Sequence, residues 1–282
     1  LKTGRNRHST PFRKKEMDTI QESALTFVEN RWNSLTPHAL EKHLAVAFGL
    51  SRSESRHILK FLVMEGHLAY QDQYGRTVIE KSFNRAMRVS PHIILKPPES
   101  PHSTDTADVV IQLRHGASFG TGTHPTTRMA LRGLEEAVKE MDLSRNGGSF
   151  ALDIGTGSGV LGIAAVLLGI ERALGLDIDA CAISEARENA RINEIEDRFR
   201  IQDTAIASVE GPVDLILANL RLPTLIRLFP DMGRLARPNC AAVISGIKEN
   251  EITDLKEMFL CNRWHPVWEE TEKDWAAIVF CR

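Results

Sequence analysis

The chain has 282 residues, 42% of them hydrophobic and 26% charged. That balance fits a soluble globular protein of one large or two ordinary domains, and it excludes collagen-like, mucin-like and disordered chains. The net charge of −2 is unevenly spread: residues 1–100 carry 16 Lys/Arg against 10 Asp/Glu, and the remainder 19 against 27.

The longest uncharged apolar run, Val160 to Ile170, is too short for a bilayer span, which needs about 18 such residues. No membrane association is expected, and the basic start lacks the apolar stretch of a secretory signal. Cys181, Cys240, Cys261 and Cys281 lie far apart, as reduced thiols do in a cytoplasmic protein, and form neither a disulfide framework nor a zinc motif. None of the ten histidines has ligand spacing, so no metal is expected.

Residues 1–15 form a basic arm, with Lys2, Arg5, Arg7, Arg13, Lys14 and Lys15 all ahead of the first acid, Glu16. Such an arm either tracks phosphates or is simply a solvated terminus. Met17 to Trp32 reads as a helix. Thr36-Pro37 supplies an N-cap and a first-turn proline for a second helix through Phe48, stopped by Gly49. Ser51 and Glu54 make a capping box for a third helix, whose apolar face is Ile58, Leu59, Leu62 and Val63 and which Gly66 closes. His67–Tyr70 and Arg76–Ile79 then read as a hairpin. Three helices and a hairpin over 16–90 resemble a winged helix. Arg52, Arg56 and Lys60 lie along one stripe of the third helix, where a nucleic-acid reader would present them; a merely solvated face has the same pattern.

Pro91, Pro97, Pro98 and Pro101 mark a linker over 91–107. From 108 to 282 apolar strands alternate with helices. The strands are Val109–Leu113, Phe150–Ile154, Ala173–Leu176, Phe199–Ile201, Val213–Ala218 and Ala241–Ser245, and a pair near Val267 and Ala276–Phe280 ends the chain. This is the pattern of an α/β fold, a Rossmann-like doubly wound sheet with helices on both faces and a terminal antiparallel strand.

Leu152-Asp153-Ile154-Gly155-Thr156-Gly157-Ser158-Gly159 follows a strand and opens a helix, and Asp177 closes the next strand about 20 residues on. The glycines let backbone approach a ligand, and Asp177 can accept from ribose hydroxyls. Gly157 to Gly162 also spells G-x-G-x-x-G, so a dinucleotide enzyme is the first rival. Asp153 favours S-adenosylmethionine instead, because an acid at the strand end repels a pyrophosphate but can order the loop and receive an ammonium.

With Phe119-Gly120-Thr121-Gly122-Thr123-His124-Pro125-Thr126-Thr127, Gly175-Leu176-Asp177-Ile178-Asp179, Leu217-Ala218-Asn219-Leu220, Ser245-Gly246-Ile247 and Asp274-Trp275, residues 108–282 resemble the bacterial methyltransferases of the eleventh large-subunit ribosomal protein, the PrmA type. The resemblance implies a class I S-adenosylmethionine-dependent protein methyltransferase, with cofactor contacts from Thr127, Gly155, Asp177 and Asn219. By the fold's general pattern Gly157 lines the methionine moiety and Asp203 approaches the adenine edge. Asn219, at the fourth strand end, would orient an acceptor amine. His124, the only titratable base inside a matched motif, is either catalytic or held within its loop. Phe119 and Trp275 are expected in the substrate pocket. No Pro-Pro-aromatic clamp follows Asn219, which favours a lysine or α-amino acceptor over an amide or adenine.

The front half departs from the family, whose members carry a small ferredoxin-like domain there. The expected partner is a protein, ribosomal in the family, with nucleic-acid contact through the front domain as a further possibility. Alternatives are an RNA or small-molecule methyltransferase, and a winged-helix regulator with a ligand-sensing core.

Overall fold

The structure is a computed structural model, described for residues 14–29, 35–73, 76–82, 86–100, 105–114, 124–140 and 148–282. The chain divides into two compact units, Leu1–Arg85 and Ala86–Arg282.

The first unit holds α1 (Lys14–Glu29), α2 (Pro37–Phe48), α3 (Arg52–Met64) and a hairpin of β1 (Leu68–Gln73) and β2 (Arg76–Lys81), the expected order. Met17, Ile20, Ala24 and Val28 form the buried stripe of α1 and pack with Leu40, Leu44, Ile58, Leu59 and Leu62 into one small core. Their spacing of three and four residues is what puts them on a single helical face. The Ser51 hydroxyl accepts from Glu54 N–H while the Glu54 carboxylate accepts from Ser51 N–H, the expected capping box. At the other end His67 N–H reaches the Leu62 carbonyl and Gly66 N–H the Val63 carbonyl, a Schellman closure. Trp32, Tyr74, Gly75 and residues 1–13 of the basic arm lie outside the described residues.

In the second unit, residues 91–107 are not an open linker throughout. β3 (Met87–Arg88), β4 (Ile93–Lys96) and β5 (Val109–Gln112) form a three-stranded sheet, and Ile93, Ile94 and Leu95 are buried. The prolines bracket β4 rather than excluding it: Pro91 precedes the strand and Pro97 ends it. Arg88 clamps Asp108 through two hydrogen bonds of 2.8 and 2.9 Å, closing the stretch into a loop. The Val109–Leu113 segment therefore belongs to this small sheet and not to the main one.

The main sheet contains β6 (Phe150–Ile154), β7 (Arg172–Leu176), β8 (Phe199–Gln202), β9 (Val213–Asn219), β10 (Ala236–Lys248), β11 (His265–Glu272) and β12 (Trp275–Cys281), in the order β11-β12-β10-β9-β6-β7-β8. β12 runs antiparallel to both neighbours, between β10 and β11. The central strands are buried on both faces, so alternate residues feed two cores. Leu215, Leu217, Ala241 and Val243 face α4 (Pro125–Glu140), α5 (Val160–Leu167) and α6 (Ala180–Ile192). Ile216, Ala218, Ala242 and Ile244 face α7 (Leu222–Leu235) and α8 (Ile252–Leu260).

Candidate cofactor and acceptor site

The parallel strands β6 to β9 end along one edge of the sheet, where doubly wound folds bind ligands. A cleft of about 720 Å³ opens there, lined among others by Gly155, Gly157, Asp177, Ile178, Ile206 and Asn219. That lies within the range of small-molecule sites, about 300–1,000 Å³.

The glycine loop is fixed from both sides. Gly155 N–H and Thr156 N–H both donate to the Leu176 carbonyl, at 2.8 and 2.9 Å. Gly155 sits at φ 70°, where a side chain is strained by conformation, and a Cβ there would lie 2.7 Å from Leu220 Cδ2 and displace that methyl. Gly157 N–H donates to Asp177 Oδ2 at 2.9 Å, and Asp177 Oδ1 accepts from Asp179 N–H at 3.1 Å. An ionised carboxylate has about four acceptor sites, so Asp177 keeps capacity for a pair of hydroxyls.

Asp153 lies beneath the loop, not in the cleft wall. Its Oδ2 accepts from Thr156 Oγ1 at 2.6 Å and from Gly162 N–H at 3.0 Å. Burial raises its pKa to about 6, partly opposed by those two bonds. Of the two roles expected for it, ordering the loop is the one these bonds perform. A buried carboxylate thus already engages an N–H in the first turn of α5, and its negative charge disfavours a pyrophosphate at that helix N-terminus.

Asn219 ends β9. Its Nδ2 lies 3.5 Å from the Thr127 hydroxyl, and its Oδ1 is buried without a hydrogen-bond partner among the described residues. A buried carbonyl oxygen left open costs about 1–3 kcal/mol, so a donor belonging to a ligand is wanted there. After Asn219 the chain stays close against β10: Leu220 N–H donates to the Ser245 carbonyl at 3.0 Å, and a Cβ on Gly246 would lie 2.7 Å from the Leu220 oxygen. Ser245 Oγ in turn donates to the Thr126 carbonyl at 3.0 Å. These contacts bring Thr127 and Asn219 together from segments 92 residues apart.

Asp203 falls outside the cleft lining, and of its two expected roles His124 takes the one within its loop. Asp203 is exposed, and the residues that line the cleft after β8 are Thr204 to Ala207 instead. Phe119 lies outside the described residues. His124 caps α4: its carbonyl accepts from Thr127 and Arg128 N–H, and its Nδ1 accepts from Thr126 N–H at 3.2 Å, with the Thr126 hydroxyl at 2.6 Å. Burial, then Arg128 and Lys248, push its pKa down to about 4. The ring is neutral near pH 7 with its Nδ1 lone pair engaged, so His124 is held within its loop. Trp275, half-buried at the start of β12, meets His124 edge-on at 5.0 Å and carries Lys248 Nζ at 3.7 Å and Arg221 Cζ at 5.0 Å from its ring centre.

Sequence reasoning passes over two further features. Ile178 is 93% exposed on the cleft wall, an apolar side chain between two aspartates where a flat aromatic ligand could cover it. Buried Asn189 on α6 donates to the Ser158 carbonyl at 2.9 Å and accepts from Arg114 N–H at 2.9 Å. One turn on, Asn193 pairs with both Gln112 N–H and the Gln112 carbonyl. These amides imitate a strand partner for the end of β5, and no motif announces them.

Taken together, two glycines, a carboxylate with spare acceptors, an apolar shelf and an amide oxygen unpartnered among the described residues fit S-adenosylmethionine.

Comparison with known proteins agrees with this geometry. The family described as ribosomal protein L11 methyltransferase (PrmA) matches residues 73–282. A ribosomal protein L11 methyltransferase of Halalkalibacterium halodurans is 32% identical over 201 residues, 71% of this chain and 62% of its own length. Its counterpart in Geotalea daltonii is 32% identical over 245 residues, 84% of this chain and 77% of its own. The crystal structure of the ribosomal protein L11 methylase of Lactobacillus delbrueckii subsp. bulgaricus superposes with a TM-score of 0.61 at 28% identity, covering 70% of this chain and 98% of that one. The chain thus spans less than two thirds of the first of these relatives. With the family match reaching from the hairpin to the last residue, the chain belongs to the ribosomal protein L11 methyltransferase (PrmA) family.

Proposed function

We propose that the protein transfers methyl groups from S-adenosylmethionine to lysine or α-amino nitrogens of a protein, with a ribosomal protein as the substrate class. The observation that carries this reading is the buried Oδ1 of Asn219 at the end of β9, which has no hydrogen-bond partner among the described residues. An amine N–H is a donor of the size and polarity that oxygen lacks.

When bound, the cofactor supplies a methyl group on a positively charged sulfur, open to in-line displacement. The chain's own part is positioning and electrostatics. Gly155 and Gly157 give backbone approach, Asp177 accepts ribose hydroxyls, and Asn219 Oδ1 accepts one N–H so that the amine lone pair points along the displacement axis. Thr127 Oγ1 steadies the Asn219 amide from the other side.

The first unit is read as a winged-helix-like module that selects the substrate. Arg52, Arg56 and Lys60 are all exposed on α3, which supports phosphate contact. Arg56 is partly committed, since its Nε donates to Glu41 at 3.1 Å. No described helix is long and apolar enough to cross a membrane, and a cytoplasmic setting is part of the same reading.

The test is incubation with methyl-labelled S-adenosylmethionine and a cell lysate, followed by protease or nuclease. Label is expected in protease-sensitive, nuclease-resistant material, and Asn219→Ala should lower turnover more than cofactor affinity. Label confined to nuclease-sensitive material would replace the protein acceptor with RNA.

A further inference from the structure

We propose that Asn189 of α6 is a positioning residue for the cofactor: its side-chain amide fixes the Ser158 peptide, and with it the half of the glycine loop that receives the amino-acid part of S-adenosylmethionine. The inference rests on the cofactor reading above and names what holds the loop in shape.

The two halves of the loop have different supports. Gly155 and Thr156 N–H donate to the Leu176 carbonyl of β7, and Gly157 N–H donates to Asp177. Past Gly157 the support comes from α6. Asn189 Nδ2 donates to the Ser158 carbonyl at 2.9 Å. A Cβ on Gly159 would lie 3.1 Å from the Ala186 Cβ, so α6 also packs closely on the next residue. The bond commits the Ser158 oxygen to α6. Unbonded, that oxygen is free to turn toward the cleft and oppose the carboxylate of the ligand.

Asn189 is fully buried and is flanked along the helix by the buried Ala186 and Ala190. An amide in such a place is costly unless its hydrogen bonds are made. Both ends are used: while Nδ2 serves Ser158, Oδ1 accepts from Arg114 N–H at 2.9 Å. Stitching β5 to α6 does not by itself call for this residue. Asn193, one turn on, accepts from Gln112 N–H at 2.8 Å and donates to the Gln112 carbonyl at 2.7 Å. The Arg114 guanidinium reaches Glu188 of α6 at 3.3 Å. What Asn189 adds is the bond to the loop.

The same helix is tied to the ribose side of the cleft. Asp179 caps α6 through Cys181 N–H at 2.8 Å, and its own N–H donates to Asp177 Oδ1 at 3.1 Å. With the ribose at Asp177 and the reacting methyl near Asn219, the amino-acid part of the cofactor lies toward Gly155 and Gly157, both on the cleft wall. One helix thus sets the ribose acceptor and the far half of the loop, and with them the gap that the cofactor spans. A loop fixed before binding loses less freedom when the ligand arrives, and that saving appears as affinity.

The experiment is calorimetry of the full chain with S-adenosylhomocysteine and with methylthioadenosine, which keeps the nucleoside and lacks the amino-acid part. Two variants are compared with the native protein. Asn189→Ala removes the amide; Asn189→Asp has nearly the same shape and keeps the acceptor for Arg114 N–H, but loses the donor to Ser158. Both should bind S-adenosylhomocysteine about tenfold more weakly, because a buried carbonyl is left without its partner, and methylthioadenosine within about twofold of native. Asn193→Ala loosens β5 without touching the loop, so it should lower the melting temperature and leave S-adenosylhomocysteine binding within about twofold. Equal losses for the two ligands in the Asn189 variants, or an equal loss of S-adenosylhomocysteine in Asn193→Ala, would overturn the proposal and leave Asn189 a packing residue. NMR of the native protein needs no variant: the Asn189 side-chain amide protons should shift with S-adenosylhomocysteine more than with methylthioadenosine, and signals unmoved by both would overturn it as well. Native protein that binds neither ligand would overturn the cofactor reading, and this proposal with it.

Discussion

Asp153 shows how one residue can be legible in type and misjudged in place. Its position before the glycine loop is plain in the sequence, and so is its preference for a cofactor without a pyrophosphate. What the sequence cannot show is that both donors it serves, Thr156 and Gly162, lie under the loop and withdraw it from the cleft wall. Burial raises its pKa from 3.8 to about 6, so the folded state binds the proton more tightly than the unfolded one. Its contribution favours folding below about pH 4 and is lost as pH rises to about 6. Asp153→Asn should remove that loss, amounting to about 3 kcal/mol at two pKa units. Urea unfolding of both proteins at pH 4 and pH 7 reads it: the difference between them should shift toward the variant at pH 7. A constant difference would mean that Asp153 is not the titrating group.

Among elements, those with strong local signals form where the sequence puts them: the Thr36-Pro37 and Ser51/Glu54 caps, the strand–glycine–helix unit, and the β9 end at Asn219. Misreadings arise where a local signal competes with tertiary burial. Four prolines within eleven residues suggest a linker, yet the apolar Ile93-Ile94-Leu95 between them has a core to enter, and packing decides. Asp203, expected at the cleft but outside its lining, and Ile178, passed over though it lines it, fail in the opposite direction, since exposed positions leave no periodicity to read. His124 at the start of α4 illustrates a cap from an unusual residue. His124→Ala removes the Nδ1 acceptor and should cost about 1 kcal/mol, as lost N-caps do, while His124→Asn keeps an acceptor and should cost less. The folded-state pKa of about 4 lies below the ordinary 6.5, so the native ring resists protonation and stability falls as pH drops from 6.5 toward 4; the Ala variant should lose that slope. Thermal unfolding at pH 7 and pH 5 checks both statements.

For the whole molecule, the family match begins at residue 73 and the contact boundary falls after Arg85, so the second unit starts ahead of the proline-bracketed strand. A fragment starting at Ala86 should fold and bind cofactor with the full-length affinity. One starting at Asp108 loses β3 and β4 with the buried Ile93, Ile94 and Leu95, each worth about 1.5–3 kcal/mol when fully buried. It should be far less stable, which circular dichroism melting of the two fragments would show. Equal melting temperatures would return residues 91–107 to the role of a linker.

The central claim is that the cleft at the ends of β6 to β9 is built for S-adenosylmethionine, with Asp177 as its ribose acceptor. Isothermal calorimetry with S-adenosylmethionine and NADH, on the native protein and on Asp177→Ala, tests it most directly. The account predicts one-to-one binding of S-adenosylmethionine, no heat from NADH, and at least tenfold weaker binding in the variant, since a hydrogen bond to a charged group is worth about 1.5–3 kcal/mol. Binding of NADH with no response to S-adenosylmethionine would contradict it.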